Sequence, residues 1–179
     1  MTAIFIRSAA FPHVHLRMDR TQVTGFNGSG SGFVNCQYYA NAGTEPALAS
    51  YEAFFLLAVP APEQPSGIAF ALQSSMPGEQ VFLRMDGGSG TVNWQFYSEG
   101  SQPEAVEGND EVFQFVPIPG SPVFAIQSAN PDTPNAFLSM DGSRMFSWQT
   151  RGDGIVSSQI LNSLPAANSL EAFFISSVI

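Results

Sequence analysis

Three aspartates recur at matching places in three similar stretches of chain, each followed by side-chain amides. Asp19 precedes Asn35 and Gln37, Asp86 precedes Asn93 and Gln95, and Asp141 precedes Gln149. A carboxylate accepts two hydroxyl protons at once, and an amide both donates and accepts, so each set could grip the hydroxyls of a sugar. Tyr38, Tyr39, Phe96 and Tyr97 stand close by and offer flat rings to the apolar face of a pyranose. These eight polar residues are the expected ligand-binding set, in sites near the hairpin ends. Each aspartate also has a structural use, because Asp at a strand end is a common turn residue.

Other chemistry-bearing residues point to less. His13 and His15 alternate onto one strand face, but two imidazoles without a carboxylate or thiol partner rarely hold zinc, so surface histidines and no metal are expected. Cys36 lies on an apolar strand face and reads as a buried, inert thiol. Arg151-Gly152-Asp153 matches an integrin-recognition tripeptide, a pattern short enough to arise by chance. Glu104, Glu107 and Asp110 read as a solvated acidic loop. There is no Gly-x-Ser-x-Gly elbow, no phosphate-cradling Gly-x-x-x-x-Gly-Lys and no His-Glu-x-x-His. Neither an enzyme nor a cofactor is expected.

The elements that must position these residues come in three copies. His15-Leu16-Arg17-Met18-Asp19, Phe82-Leu83-Arg84-Met85-Asp86 and Phe137-Leu138-Ser139-Met140-Asp141 match one another. Behind them come Val34-Asn35-Cys36-Gln37, Val92-Asn93-Trp94-Gln95 and Phe146-Ser147-Trp148-Gln149, and each unit closes on Glu52-Ala53-Phe54, Glu111-Val112-Phe113 or Glu171-Ala172-Phe173. Each unit opens on Ile6-Arg7-Ser8, Leu72-Gln73-Ser74 or Ile126-Gln127-Ser128. Such self-similarity identifies repeat architecture. Four strands are expected per unit; in the first they are Ala3–Ser8, His13–Asp19, Gly32–Tyr39 and Ala53–Val59. Alternation puts Val14, Leu16 and Met18 inside with Cys36, Trp94 and Trp148, and puts the Asn and Gln side chains outside. Pro-rich Ala61–Gly67 and Pro117–Pro122 join the units. Only Pro103–Asp110 and Leu161–Leu170 leave room for a turn of helix.

Twelve strands in three units cannot each bury an apolar face alone. The expectation is one all-β domain over residues 1–179, with repeats near 1–60, 67–118 and 122–179, folded as a β-trefoil: a six-stranded barrel capped by three hairpins. The run Leu-Arg-Met-Asp, a Gly/Ser loop, Val-Asn-Cys/Trp-Gln and Glu-x-Phe resembles fascin-type and lectin-like β-trefoil repeats over essentially the whole chain. Ser8-Ala9-Ala10-Phe11-Pro12 is similar to arabinose-binding trefoil modules, although the histidine of that module's sugar site is Met18 here, and the lectin-type Gln-x-Trp motif is absent.

Charge narrows the partners. The 179 residues carry a formal charge of −9, with six arginines and no lysine. Phosphate backbones and anionic lipid call for basic patches, so neither nucleic acid nor membrane insertion is expected. A surface rich in Ser, Asn, Gln and aromatic residues suits neutral, hydroxyl-rich ligands. The expected function is therefore non-catalytic carbohydrate binding, with glycans or glycoproteins as partners. The alternatives are a fascin-like actin or cytoskeletal module, which the acidic charge opposes, a protease inhibitor presenting Gly25–Gly32 or Asn130–Asn135, and a receptor-binding toxin component. Met1–Arg7 has no basic and long apolar signal pattern, so a cytoplasmic protein is expected, with leaderless secretion the alternative.

Overall fold

A computed structural model describes residues 2–19, 30, 32–39, 45–78, 80–106, 108–143 and 154–178. Twelve strands make up its regular structure. The first repeat contributes β1 (Ala3–Ser8), β2 (Val14–Asp19), β3 (Phe33–Tyr38) and β4 (Phe54–Pro60). The second contributes β5 (Ile68–Ser74), β6 (Gln80–Asp86), β7 (Thr91–Tyr97) and β8 (Phe113–Pro117). The third contributes β9 (Phe124–Ser128), β10 (Ala136–Asp141), β11 (Gly154–Ile160) and β12 (Phe173–Ser177). Neither Pro103–Asp110 nor Leu161–Leu170 contains helix among its described residues.

The all-β class stands, but the expected β-trefoil, a six-stranded barrel under three separate hairpin caps, is corrected. The antiparallel pairings close a nine-stranded ring in the order β1–β4–β5–β8–β9–β10–β11–β3–β2 and back to β1. Three further strands attach to it: β12 pairs with β1 and β9, and the β6–β7 hairpin hangs from β5. The ladder between β3 and β11, with Gly154 opposite Cys36 and Ile155 opposite Asn35, draws two hairpins into the ring. Pairing these outer strands satisfies backbone groups that separate caps would leave at open edges. The third hairpin is joined to the second as well, where Ser158 N–H donates to Gly90 O at 3.0 Å.

The repeated motifs build the core. Leu16, Leu83 and Leu138, then Met18, Met85 and Met140, then Phe54, Phe113 and Phe173 are all fully buried in one cluster with Trp94 and Cys36. Each such side chain contributes about 1.5–3 kcal/mol of transfer free energy. A backbone bond recurs in each repeat just before the Glu-x-Phe segment: Met18, Met85 and Met140 N–H donate to the carbonyls of Tyr51, Asp110 and Leu170 at 2.8–2.9 Å.

The repeat motif sets the third copy of the third strand at Phe146–Gln149. Those residues lie outside the described set, and the strand laddered to β10 runs from Gly154 to Ile160. Ser158 stands opposite Leu138, where Cys36 stands opposite Leu16 and Trp94 opposite Leu83.

Candidate functional site

The repeated aspartates end their strands, and Asp86 and Asp141 accept amides of the residues that follow. Asp86 Oδ1 accepts the amides of Gly88 and Ser89, each at 3.0 Å, and its other oxygen lies 3.5 Å from Arg84. Partial burial pushes the Asp86 carboxyl upward, but the Ser89 amide and hydroxyl, Arg84 and the Gly88 amide outweigh it and hold the group below the usual carboxylate range. Asp141 Oδ1 accepts Ser143 N–H at 2.8 Å, and Asp19 lies 3.4 Å from the Arg17 guanidinium.

The amides do not converge on these aspartates. In each of the first two hairpins the register sets the arginine opposite the asparagine: Arg17 faces Asn35 and Arg84 faces Asn93, while Gln37 faces His15 and Gln95 faces Phe82. Gln37 and Gln95 are buried, correcting their expected outward exposure. Gln95 accepts Gly30 N–H at 2.9 Å and donates to Phe96 O. Gly30 has φ of +71°, and a Cβ there would come within 2.2 Å of Asn93 Oδ1. Gln95 thus holds Gly30 of the first repeat against β7, close beside Asn93. Gln149 and the Arg151-Gly152-Asp153 tripeptide lie outside the described residues.

Two buried ion networks lie beside Asp19 and Asp86. Arg84 reaches Asp110 at 2.5 Å and Glu111 at 3.7 Å, and Asn130 donates to Asp110 at 2.9 Å. Asp110 is therefore not part of a solvated acidic loop: it is buried against the guanidinium. Burial pushes Glu111 up to about 7, with Arg84 opposing the shift and Asp110 adding to it. Arg17 repeats the theme with Glu52 at 3.4 Å, and the Tyr39 and Tyr97 hydroxyls donate to Glu52 and Glu111. These two tyrosines are committed to the networks. The third repeat has Ser139 in place of the arginine and builds no such pair among the described residues. No three His, Cys, Asp or Glu side chains gather to hold a metal ion among the described residues.

An open recess does form, beside the start of β2. It holds about 150 Å³ and is lined by Phe11, Pro12, His13, Tyr38 and Gly142, among others. The His13 and Tyr38 rings stand 5.7 Å apart at 57°. His13 is exposed; Phe11 and Tyr38 are half-buried and pack against the core. Gly142 arrives from the end of β10, where a Cβ would lie 2.8 Å from Val14 and 3.2 Å from Phe11. Asp141 of the expected site is its direct neighbour. The register equates Tyr38 with Phe96 and Ile160, and His13 with Gln80 and Asn135, so the pairing of phenol and imidazole belongs to the first repeat. Sequence reasoning named Tyr38 as a platform but missed Phe11, Pro12 and Gly142. A second recess of about 250 Å³, between Ile68, Phe70, Phe115 and Pro117, is mostly apolar.

Comparison with known proteins gives a fold relation only. No family model matches the chain, and no curated protein does. Among solved structures, the chain is similar to part of a mosquitocidal holotoxin, with a TM-score of 0.59 and 12% identity over 97% of this chain. It spans 17% of that protein's length.

Proposed function

We propose that this chain is a non-catalytic carbohydrate-binding protein whose site is the recess of Phe11, Pro12, His13 and Tyr38. The observation that carries this reading is the tilted His13–Tyr38 ring pair, open to solvent beside Phe11 and Pro12. Flat rings pack against the apolar face of a pyranose, while an imidazole and a phenol at the rim exchange hydrogen bonds with its hydroxyls. The low density of charge favours neutral ligands, and nothing in the recess needs an ion to complete it. A recess of this size takes one or two sugar units, so binding is shallow and affinity depends on multivalent presentation. The aspartate–amide sets serve turns and inter-repeat contacts in this reading, with Asp141 acting through the placement of Gly142.

A glycan array on the purified protein tests it. His13→Ala and Tyr38→Phe should each weaken binding at least about tenfold, the loss of about 1.4 kcal/mol that one well-made hydrogen bond or ring contact supplies. Asp86→Asn should leave binding unchanged. A blank array, or binding indifferent to His13 and Tyr38, refutes the proposal.

A further inference from the structure

One arginine serves three carboxylates in the second repeat. Arg84 of β6 lies 2.5 Å from Asp110, 3.5 Å from Asp86 and 3.7 Å from Glu111. Arg84, Asp110 and Glu111 are buried, and Asp86 is partly exposed at the strand end. Among the described residues no second cation pairs with any of these acids. With every acid ionised, the cluster sets three negative charges against one positive charge. Water screens such an excess at a surface, and a buried cluster has no such relief.

The other repeats place no acid where Asp110 stands. The backbone bond from the strand methionine fixes the equivalence, since Met18, Met85 and Met140 N–H donate to Tyr51, Asp110 and Leu170 O. The Tyr51 ring lies 4.8 Å from the Arg17 guanidinium, and in the third repeat Leu170 goes with Ser139 in place of the arginine. The acids of the second repeat also tie neighbouring segments together. Asn130, on the connection from β9 to β10, donates to Asp110 Oδ1 and accepts the amides of Gly108 and Asp132. Tyr97 of β7 donates to Glu111. Asp110 and Glu111 thus fasten the connection from β7 to β8 onto β6, β7 and the Asn130 segment.

We propose that the Arg84 cluster is a proton-operated latch: with a proton on Glu111 it holds Asp110 and Glu111 against β6, and loss of that proton opens the segment from β6 and Asn130. Asp110 takes the close contact with the guanidinium, so Glu111 is the acid whose charge is least well met. The groups facing the two acids are Arg84 and Asp86 from β6, Tyr97 from β7 and Asp132 from the Asn130 segment, with Glu104 acting on Tyr97. Burial raises Glu111 from 4.5 to about 7, Arg84 opposing the shift and Asp110 adding to it. In the open segment Glu111 meets water and returns to its ordinary range. The closed form binds the proton more tightly, so opening is favoured as pH rises, by up to about 300-fold once pH exceeds 7.

Amide hydrogen exchange tests the latch. The Met85 amide has its acceptor, Asp110 O, on the moving segment, whereas that of Met140 is Leu170 O. Corrected for intrinsic rates, Met85 protection should fall about 70-fold between pH 5 and 8. The loss should be insensitive to dilute urea, because a local opening exposes little surface. The fall should cease above the pH at which the Glu111 carboxyl carbon resonance titrates, a measurement that needs no variant. Glu111→Gln should leave Met85 protection level with pH, and Asp110→Asn should end the fall at lower pH. Met85 protection indifferent to pH, or a fall that persists in Glu111→Gln, would overturn the latch. So would an equal loss at Met140 with the same urea dependence, which is the mark of global unfolding.

Discussion

Two buried groups titrate in opposite senses, and their opposition can be separated by substitution. His15 is lowered from 6.5 to about 4, chiefly by burial and then by Arg7. The unfolded chain therefore binds the proton more tightly, and stability is lost as pH falls from about 6.5 towards 4. At about 1.4 kcal/mol per pH unit, the loss amounts to about 3 kcal/mol. Glu111 is raised from 4.5 to about 7, again chiefly by burial. Here the folded chain binds the proton more tightly, so the stabilisation is complete below about 4.5 and is lost as pH rises towards 7, also by about 3 kcal/mol. The two contributions offset each other across the overlapping window. His15→Phe installs the residue found at Phe82 and Phe137, and Glu111→Gln keeps an acceptor for the Tyr97 hydroxyl. Urea denaturation of parent and variants at a series of pH values gives the difference curves, from which every other titrating group cancels. Relative to the parent, His15→Phe should gain about 3 kcal/mol as pH falls from 6.5 to 4, and Glu111→Gln should gain a similar amount as pH rises from 4.5 to 7. The two residues share no contact, so the double variant should show the sum. A flat difference curve for either single variant would refute the assignment of that group's burial and charge environment.

Ala49 has a φ of +61°, where a side chain crowds the following carbonyl. Ala49→Gly should raise stability by up to about 1 kcal/mol in chemical denaturation. Arg84→Met removes the cation from between buried Asp110 and Glu111 and should cost about 3–5 kcal/mol at neutral pH, by the same assay. Gly30→Ala meets both a left-handed backbone and the Asn93 side chain; a fall of at least about 2 kcal/mol is expected, with a changed Trp94 fluorescence, because Phe33 O, which accepts the Trp94 indole N–H, belongs to the same segment. Gly142→Ala drives a methyl group against Val14 and Phe11, and should impair glycan binding while the near-ultraviolet circular dichroism of the core is retained.

Strand positions followed from the sequence where alternation and repetition agreed. Leu-x-Met at 16–18, 83–85 and 138–140 marks one buried face each time, and the strands drawn from it match the observed ones within a residue or two. Trp94 was placed inside by parity with Val92, and it is fully buried. The closure of the sheet was not readable, because the β3–β11 ladder joins residues more than a hundred positions apart and rests on Gly154, which no repeat motif marks. The third hairpin misled for a related reason: Phe146–Gln149 resembles the earlier motifs, but the strand paired with β10 starts further along. At the site, parity set His15 and Gln37 on the face opposite Leu16 and Cys36 but could not reveal that both are buried, with Phe5 and Tyr39 packed over His15. The expected surface histidine is therefore a buried one. Arg84 binds acids from a segment that sequence spacing gave no reason to bring back.

The pairing of β1 with β12 fixes how the molecule responds to force. The ladder is antiparallel, and Ile4 opposite Ser177 is its outermost rung. Tension applied through the two outer ends therefore pulls these strands apart from one side, loading their hydrogen bonds one pair at a time rather than all together in shear. This ladder should open like a zip, beginning at Ile4 and Ser177 and running towards Arg7 and Phe174.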